Sequence, residues 1–355
     1  PVAVARSTVT LAGNSGAAIE KWVQIQLRKT SKFSNGLVAK DSISFSGNNA
    51  SVDSWSSEKE DDGTLRASPV GYSAGVAHDK GSVGSISVSV SAVSVQNADI
   101  WGYAATGGAL PTVGNNGVIG PYGTASGTMD MDRVSTDFSA SFDAVTAPTE
   151  LPYNLGTINN STSLPRFLDV PRADGKFYYS ASSISFNNKT LAVTGAGNPN
   201  VVITLTDPTT SINIGGGSGE ITIGSGATLE VYAPGDIKIA GNGVLNGGNT
   251  SGTANQAKNF QIWGTKTVGI QDIQIAGNGV LSAIVYAPQG SVKINGNGDV
   301  LGSVIANDIT LVGNAAFHYD ESLADFGGGD PFRISRWREL TSAADRAPYS
   351  AALSW

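Results

Sequence analysis

The chain has 355 residues, a formal net charge of −7 and only 14% charged residues. So few Lys and Arg exclude nucleic acid as a main partner, because neutralising phosphates requires clustered basic side chains. There is no Cys, which excludes disulfides, thiolate zinc sites and cysteine nucleophiles, while 45 Gly among alternating Val, Ile and Leu indicate an all-β chain with many tight turns.

From the N-terminus, the chain opens at Pro1 without Met and is expected to be a processed product or the ordered part of a longer chain. No signal peptide and no apolar run of about 18 residues, the length of a membrane-spanning helix, occurs in it. "STVTLAGNSG" carries Gly13, and "SISFSGNNAS" carries Gly47, 34 residues on. Between them "AIEKWVQIQLRKT" alternates Val23, Ile25 and Leu27 against Gln24, Gln26 and Arg28, which predicts a long strand at an edge or cap. "AVSVQNADIWGYAA" from Ala92 aligns with "SVKINGNGDVLGSVIA" from Ser291 across a small gap, so residues 1–120 read as an N-terminal solenoid part.

Residues 121–180 depart from this grammar and read as an irregular excursion or connector. Residues 181–325 form the clearest repeat. "DIKIAGNGVLNG", "DIQIAGNGVLSA", "SVKINGNGDVLG" and "DITLVGNAAFHY" place Gly-Asn at Gly241, Gly277, Gly296 and Gly313, at intervals of 36, 19 and 17. Gly224 lies 17 before Gly241, and "VYAP" recurs at Val231 and Val285, 54 apart. The period is about 18, with 36 and 54 read as two and three units. An isolated Asn-Gly would indicate a hairpin. Recurrence at one period, with three short apolar pieces per unit, instead predicts a three-sided parallel β-helix. Departure from strict hexads points to a right-handed coil. Asn242, Asn278, Asn297 and Asn314, at equivalent corners, are the candidate rungs of a side-chain amide ladder. Asp236, Asp272 and Asp308 recur at strand starts and read as turn chemistry.

Residues 326–355 change character. Ile334, Trp337 and Leu340 fall at i, i+3 and i+6, which predicts a short amphipathic helix that caps the last rung or docks on a neighbouring subunit, with Trp355 as a further docking residue.

Catalytic groups are sparse. His78 and His318 are the two histidines, and each reads as a solvated turn residue. Acidic clusters occur at 58–63, at Asp130, Asp132 and Asp137, and at Asp320, Glu321 and Asp325, none inside the clear rungs. The second group supplies the candidate Ca2+ ligands, without EF-hand spacing. No other cofactor is expected.

The C-terminal half, about residues 215–325, resembles the β-helical ectodomains of bacterial type IV pilus assembly (PilX-like) proteins. The resemblance rests on "IVYAPQG", "INGNGDVLGSVIA" and "FHYDE" (Phe317 to Glu321). Single rungs such as "DVLGSVIANDITLVGNAAF" are also similar to bactofilins, bacterial polymer-forming β-helices. The resemblance implies a bacterial, surface-exposed, non-enzymatic role and carries over no catalytic residue. The expected function is a rigid subunit of a pilus-like or extracellular filament, which associates with itself or with other surface subunits. The alternatives are an adhesin that binds glycans, through aromatics such as Trp55, Trp101 and Trp263 or through arrays of Asn, Ser and Thr, and a polysaccharide lyase or hydrolase, which would need grouped carboxylates on one face.

Overall fold

The computed structural model describes residues 2–10, 18–29, 31–47, 49–240, 242–246, 256–277, 281–296, 299–327 and 332–353. The chain forms two compact units: residues 33–326, and a smaller one made of residues 1–32 with 327–355.

The larger unit is a three-sided parallel β-solenoid. On face I the strands stack in the order 153–154, 176–181, 200–205, 228–233, 260–264, 284–287, 303–306, 37–39, 81–85, 102–106 and 134–135. Face II runs from 184–187 through 210–215, 236–239, 271–277, 290–296, 308–313, 42–45 and 93–95 to 112–113. Face III runs from 162–164 through 190–193, 220–223, 243–246, 281–283, 299–302, 316–320, 51–55, 99–101 and 118–120 to 128–129.

The strand period of two explains why these sequences coil. Every second side chain points into the lumen, and those at one level meet identical types above and below. On face II the inner column is Ile184, Ile212, Ile237, Ile273, Val292, Ile309, Ile43 and Val93, all buried. Each contributes roughly 1.5–3 kcal/mol by leaving water. β-Branched side chains suit such columns because they hold one χ1 rotamer on a pleated surface.

The stacking order is not the chain order. Residues 37–55 lie on the rung 303–320, and successive rungs then climb to 134–135. The chain returns to the other end through residues 136–152, an extended strap outside the ladders. Phe138, Ala140, Phe142 and Val145 of the strap pack against the core, and Tyr286 Oη donates to the Asp143 carbonyl at 3.0 Å. Gly84 makes room for it, since a Cβ there would lie 2.7 Å from the Phe138 ring. The connector is therefore narrower than 121–180, whose two ends contribute strands.

One turn takes 17–19 residues between 271 and 319 and again between 94 and 120. Elsewhere corner loops lengthen it. Ile237 stacks on Ile273, so the 36-residue interval is one turn, not two. Val231 and Val285 are two turns apart, not three. Gly224 is not in register with Gly277 and Gly313 either. It follows face III, its N–H bonded to the Val193 carbonyl, whereas the Gly-Asn corner follows face II. The alignment of Ala92 onward with Ser291 onward holds: Asp99 and Asp299 share one column through Ser51 and Ala316.

The smaller unit holds a three-stranded antiparallel sheet, Val2–Thr10, Ala18–Lys29 and Phe332–Glu339, with Ala18–Lys29 in the centre rather than at an edge. Residues 2–29 are thus not solenoid. The predicted helix over Ile334, Trp337 and Leu340 is also corrected. Ile334 and Trp337 lie in a strand opposite Leu27 and Ile25, and a register shift between them produces the three-residue spacing that imitates a helix. Leu340 is buried and its N–H bonds to the Trp22 carbonyl. The helix is Ala343–Ser350, started by Ser342, whose Oγ accepts from the Asp345 N–H at 3.1 Å. It packs on its own sheet, where Gln24 Nε2 donates to Tyr349 Oη at 2.6 Å. Trp355 lies outside the described residues.

At two levels the corner from face III to face I requires glycine, although Ala283, Tyr319 and Ser54 hold the same position on other rungs. Gly302 has φ +131°, and a Cβ there would lie 2.1 Å from the Ala283 carbonyl oxygen; Gly102 repeats this against Gly81. Gly302→Ala is expected to cost roughly 2–4 kcal/mol in urea unfolding, from backbone strain plus overpacking. Gly217→Ala, where nothing lies within 4 Å of the new Cβ, should change stability by no more than about 0.5 kcal/mol.

Candidate functional site

The densest group of titratable side chains sits on face III, where strand 316–320 meets strand 51–55. It brings together two of the three acidic clusters and both histidines, although the chain separates them by more than 200 residues. All five residues of "FHYDE" take part. Phe317 fills the lumen. His318 Nδ1 donates to Asp53 Oδ1 at 2.5 Å, and its Nε2 lies 3.9 Å from Asp299 Oδ1. Tyr319 Oη donates to the Phe33 carbonyl at 3.0 Å. Asp320 accepts from Ser57 N–H, Ser57 Oγ and Ser322 N–H at 3.1, 2.7 and 3.0 Å. Glu321 accepts from Ser54 Oγ at 2.9 Å and pairs with His78 at 2.7 Å and Lys80 at 3.1 Å.

The loop 56–80 covers this group. It folds back so that Ser54 and His78 exchange backbone bonds, and Trp55 Nε1 donates to the Val70 carbonyl. Tyr72 stacks on His318 with ring centroids 3.5 Å apart and donates to Asp53 Oδ2 at 2.6 Å. The cluster "EKEDDG" fastens the loop: Glu58 to Lys258, Lys59 to Asp325, Glu60 to Arg66 and Asp61 to His78.

Both histidines therefore depart from the solvated reading. His318 is only 5% exposed. Burial alone would pull its pKa down, but the interactions with the Asp299 carboxylate nearby and with the hydrogen-bonded Asp53 outweigh burial and raise it. Burial pushes the Asp320 carboxyl up. An Asp–His pair resembles the orienting half of a catalytic triad. Here the second ring nitrogen faces another carboxylate and Tyr72 stacks on the ring face. The arrangement can hold a charge and bind two rungs together. Its signal in the sequence is the parallel between "SFSGNNASVDSWS" and "LVGNAAFHYDES", which stack directly.

The other expected site residues are scattered. Asp130 caps the short turn after it, accepting from the Asp132 N–H at 3.0 Å, and Asp137 pairs with Ser135. Among the described residues no group of three or more His, Asp or Glu side chains is placed to hold a metal ion. Of the amide ladder, Asn314 accepts from Asn49 Nδ2 on the next rung at 3.1 Å, and Asn242 instead reaches Glu220 at 3.4 Å. Asn278 and Asn297 lie outside the described residues. Asp236, Asp272 and Asp308 stand in one column at the start of face II, where Asp236 accepts from the Asp272 N–H at 3.1 Å and Asp308 from Ser291 Oγ at 2.7 Å. Trp55 is fully buried, Trp263 packs among Tyr232, Tyr286 and Phe33, and Trp101 against Tyr122, so none forms an open stacking platform.

The three faces differ in cover. The strap lies on face I and the loop 56–80 on part of face III. On face II the outward column reads Ser185, Asn213, Lys238, Gln274, Lys293, Thr310 and Ser44 in continuous register. A shallow depression of about 350 Å3 lies on it, lined by Asn213, Asp236, Lys238, Asp272 and Gln274 among others.

A family model described as a domain of unknown function (DUF7305) matches residues 158–326, a little under half of the chain. No protein of curated function matches the sequence. Two solved structures are similar in fold. One is the DUF3494 domain of Shewanella frigidimarina ice-binding protein 1, with TM-score 0.33 and 14% identity over 83% of this chain and 99% of that one. The other is a glycosylated ice-binding protein (LeIBP) from an Arctic yeast, with TM-score 0.31 and 11% identity over 82% of this chain and 95% of that one.

The raised pKa of His318 sets a sign. Its contribution to stability is complete below the unfolded value near 6.5 and is lost as pH rises through the folded value. Urea unfolding midpoints should therefore fall from pH 6 toward pH 9, and His318→Gln should flatten that part of the profile. His318→Ala should cost roughly 3 kcal/mol, because it leaves Asp53 without its buried cation.

Proposed function

We propose that this protein is a non-enzymatic structural component of the bacterial cell surface, a stiff β-solenoid rod in a pilus-like or extracellular filament. One observation carries the reading. The only place where histidines and carboxylates gather among the described residues is closed over by its own loop and spent on joining the rungs 316–320 and 51–55. The low charge and the "FHYDE" resemblance support the same reading.

A second reading, an adhesin, is favoured by the polar outward column of face II. Its in-register Asn213, Lys238, Gln274 and Lys293 offer hydrogen-bond donors at the strand spacing of about 4.8 Å. An extended glycan matches such an array better than a compact ligand does.

Immunogold labelling and protease shaving of intact source cells test the first reading. The chain should be surface-accessible, and protection in intact cells with release only on lysis would refute it. For the second, a glycan array probed with the full chain should show hits that Lys238→Glu with Gln274→Glu weakens at least about tenfold. Absence of hits would refute it, and thermal hysteresis measured on the same sample would show whether face II takes ice instead.

A further inference from the structure

At the end of the rod where residues 153–164 form the first rung, the corner between faces III and I is a loop, 165–175. Its Asp169 carboxylate turns inward, while its apolar side chains turn outward. Arg166 holds Asp169 with two hydrogen bonds, 2.9 and 3.1 Å. The Asp169 carboxylate, buried, accepts from the hydroxyl of the lumen residue Tyr179 at 2.7 Å. Arg172 Nε donates to the Leu151 carbonyl at 3.0 Å and lies over the Tyr153 ring. Phe167 and Leu168, by contrast, are 98% and 84% exposed, with Leu151 exposed beside them. Such a fixed apolar display does nothing for an isolated chain, and its rigidity lowers the ordering cost of binding.

At the opposite end, the same corner of the rod is the turn 130–133. There Met131 is 56% exposed between Asp130 and Asp132. The strands that bound the two ends, 153–154 and 162–164 against 134–135 and 128–129, each pair on one side only among the described residues. All strands of one face run in the same direction. Setting one copy on the end of another therefore continues the parallel ladders of faces I and III. It also brings the 165–175 loop onto the 130–133 turn. Phe167 and Leu168 then meet Met131, and Arg166 and Arg172 face Asp130 and Asp132.

We propose that the chain associates head to tail with further copies of itself through these two ends, with Phe167 and Leu168 as the apolar anchor. The proposal rests on the rod reading above and names the rod's partner. It does not depend on where in the cell the rod resides. A head-to-tail contact of two unlike surfaces does not close on itself, so it propagates into a filament.

Sedimentation velocity and negative-stain microscopy of the full chain, from low to high micromolar, test it. Wild type should form end-to-end assemblies with an axial repeat on the order of 50 Å, the height of the stacked rungs. Phe167→Asp with Leu168→Asp should weaken association at least about tenfold with an unchanged melting temperature, since both side chains are in water in the single chain. Asp130→Lys with Asp132→Lys should weaken it similarly. A wild type that stays monomeric throughout would overturn the proposal. So would assembly insensitive to both pairs of substitutions, or Phe167-dependent binding to anionic vesicles without self-association. Failure here with confirmed surface exposure would leave the rod reading standing, and intracellular protein that still assembles would do the reverse.

Discussion

A parallel strand edge cannot face water indefinitely without leaving a row of backbone donors and acceptors open to any other strand. The rung at 299–320 meets this constraint by accepting residues 37–55 as its next level. Everything else in the solenoid follows from that contact. It places the N-terminal rungs on top of the C-terminal ones, and it obliges the chain to travel back along face I as the strap 136–152.

A contact between segments some 265 residues apart is expensive in loop-closure entropy, though the expense grows only slowly with length. Columns of Ile, Val and Phe supply the driving force, but apolar columns are alike at every level and do not select one pairing. The polar group around His318 does. Asp53, Asp320 and Glu321 each have specific partners across the join, and a slip of one rung would leave buried carboxylates without them. The loop 56–80 then dries the join, which strengthens each of those interactions.

The repeat was legible because the lumen filters the sequence at every turn: inward positions must be apolar, and the corner at Gly302 must be glycine. Turn length was not legible in the same way. Corners are outside the lumen and can grow without disturbing the columns, so a 36-residue turn with a long corner looks like two turns of 18. The strand at 332–339 was misread for a related reason, because one inserted residue in a strand shifts its period toward three. His318 was misread because burial of a polar residue depends on what covers it, and its cover, Tyr72, lies far away in the chain.

The sequence by itself determined the all-β character, the three short strands per turn and glycine at several corners. These are local properties, set by side-chain alternation and backbone freedom within about twenty residues. Only the tertiary structure decided the order of the rungs, the gathering of two acidic clusters around the two histidines, and which strands bound the ladders. Those are matters of long-range pairing, and identical apolar columns leave such pairing open until specific polar contacts and a covering loop select among the possibilities.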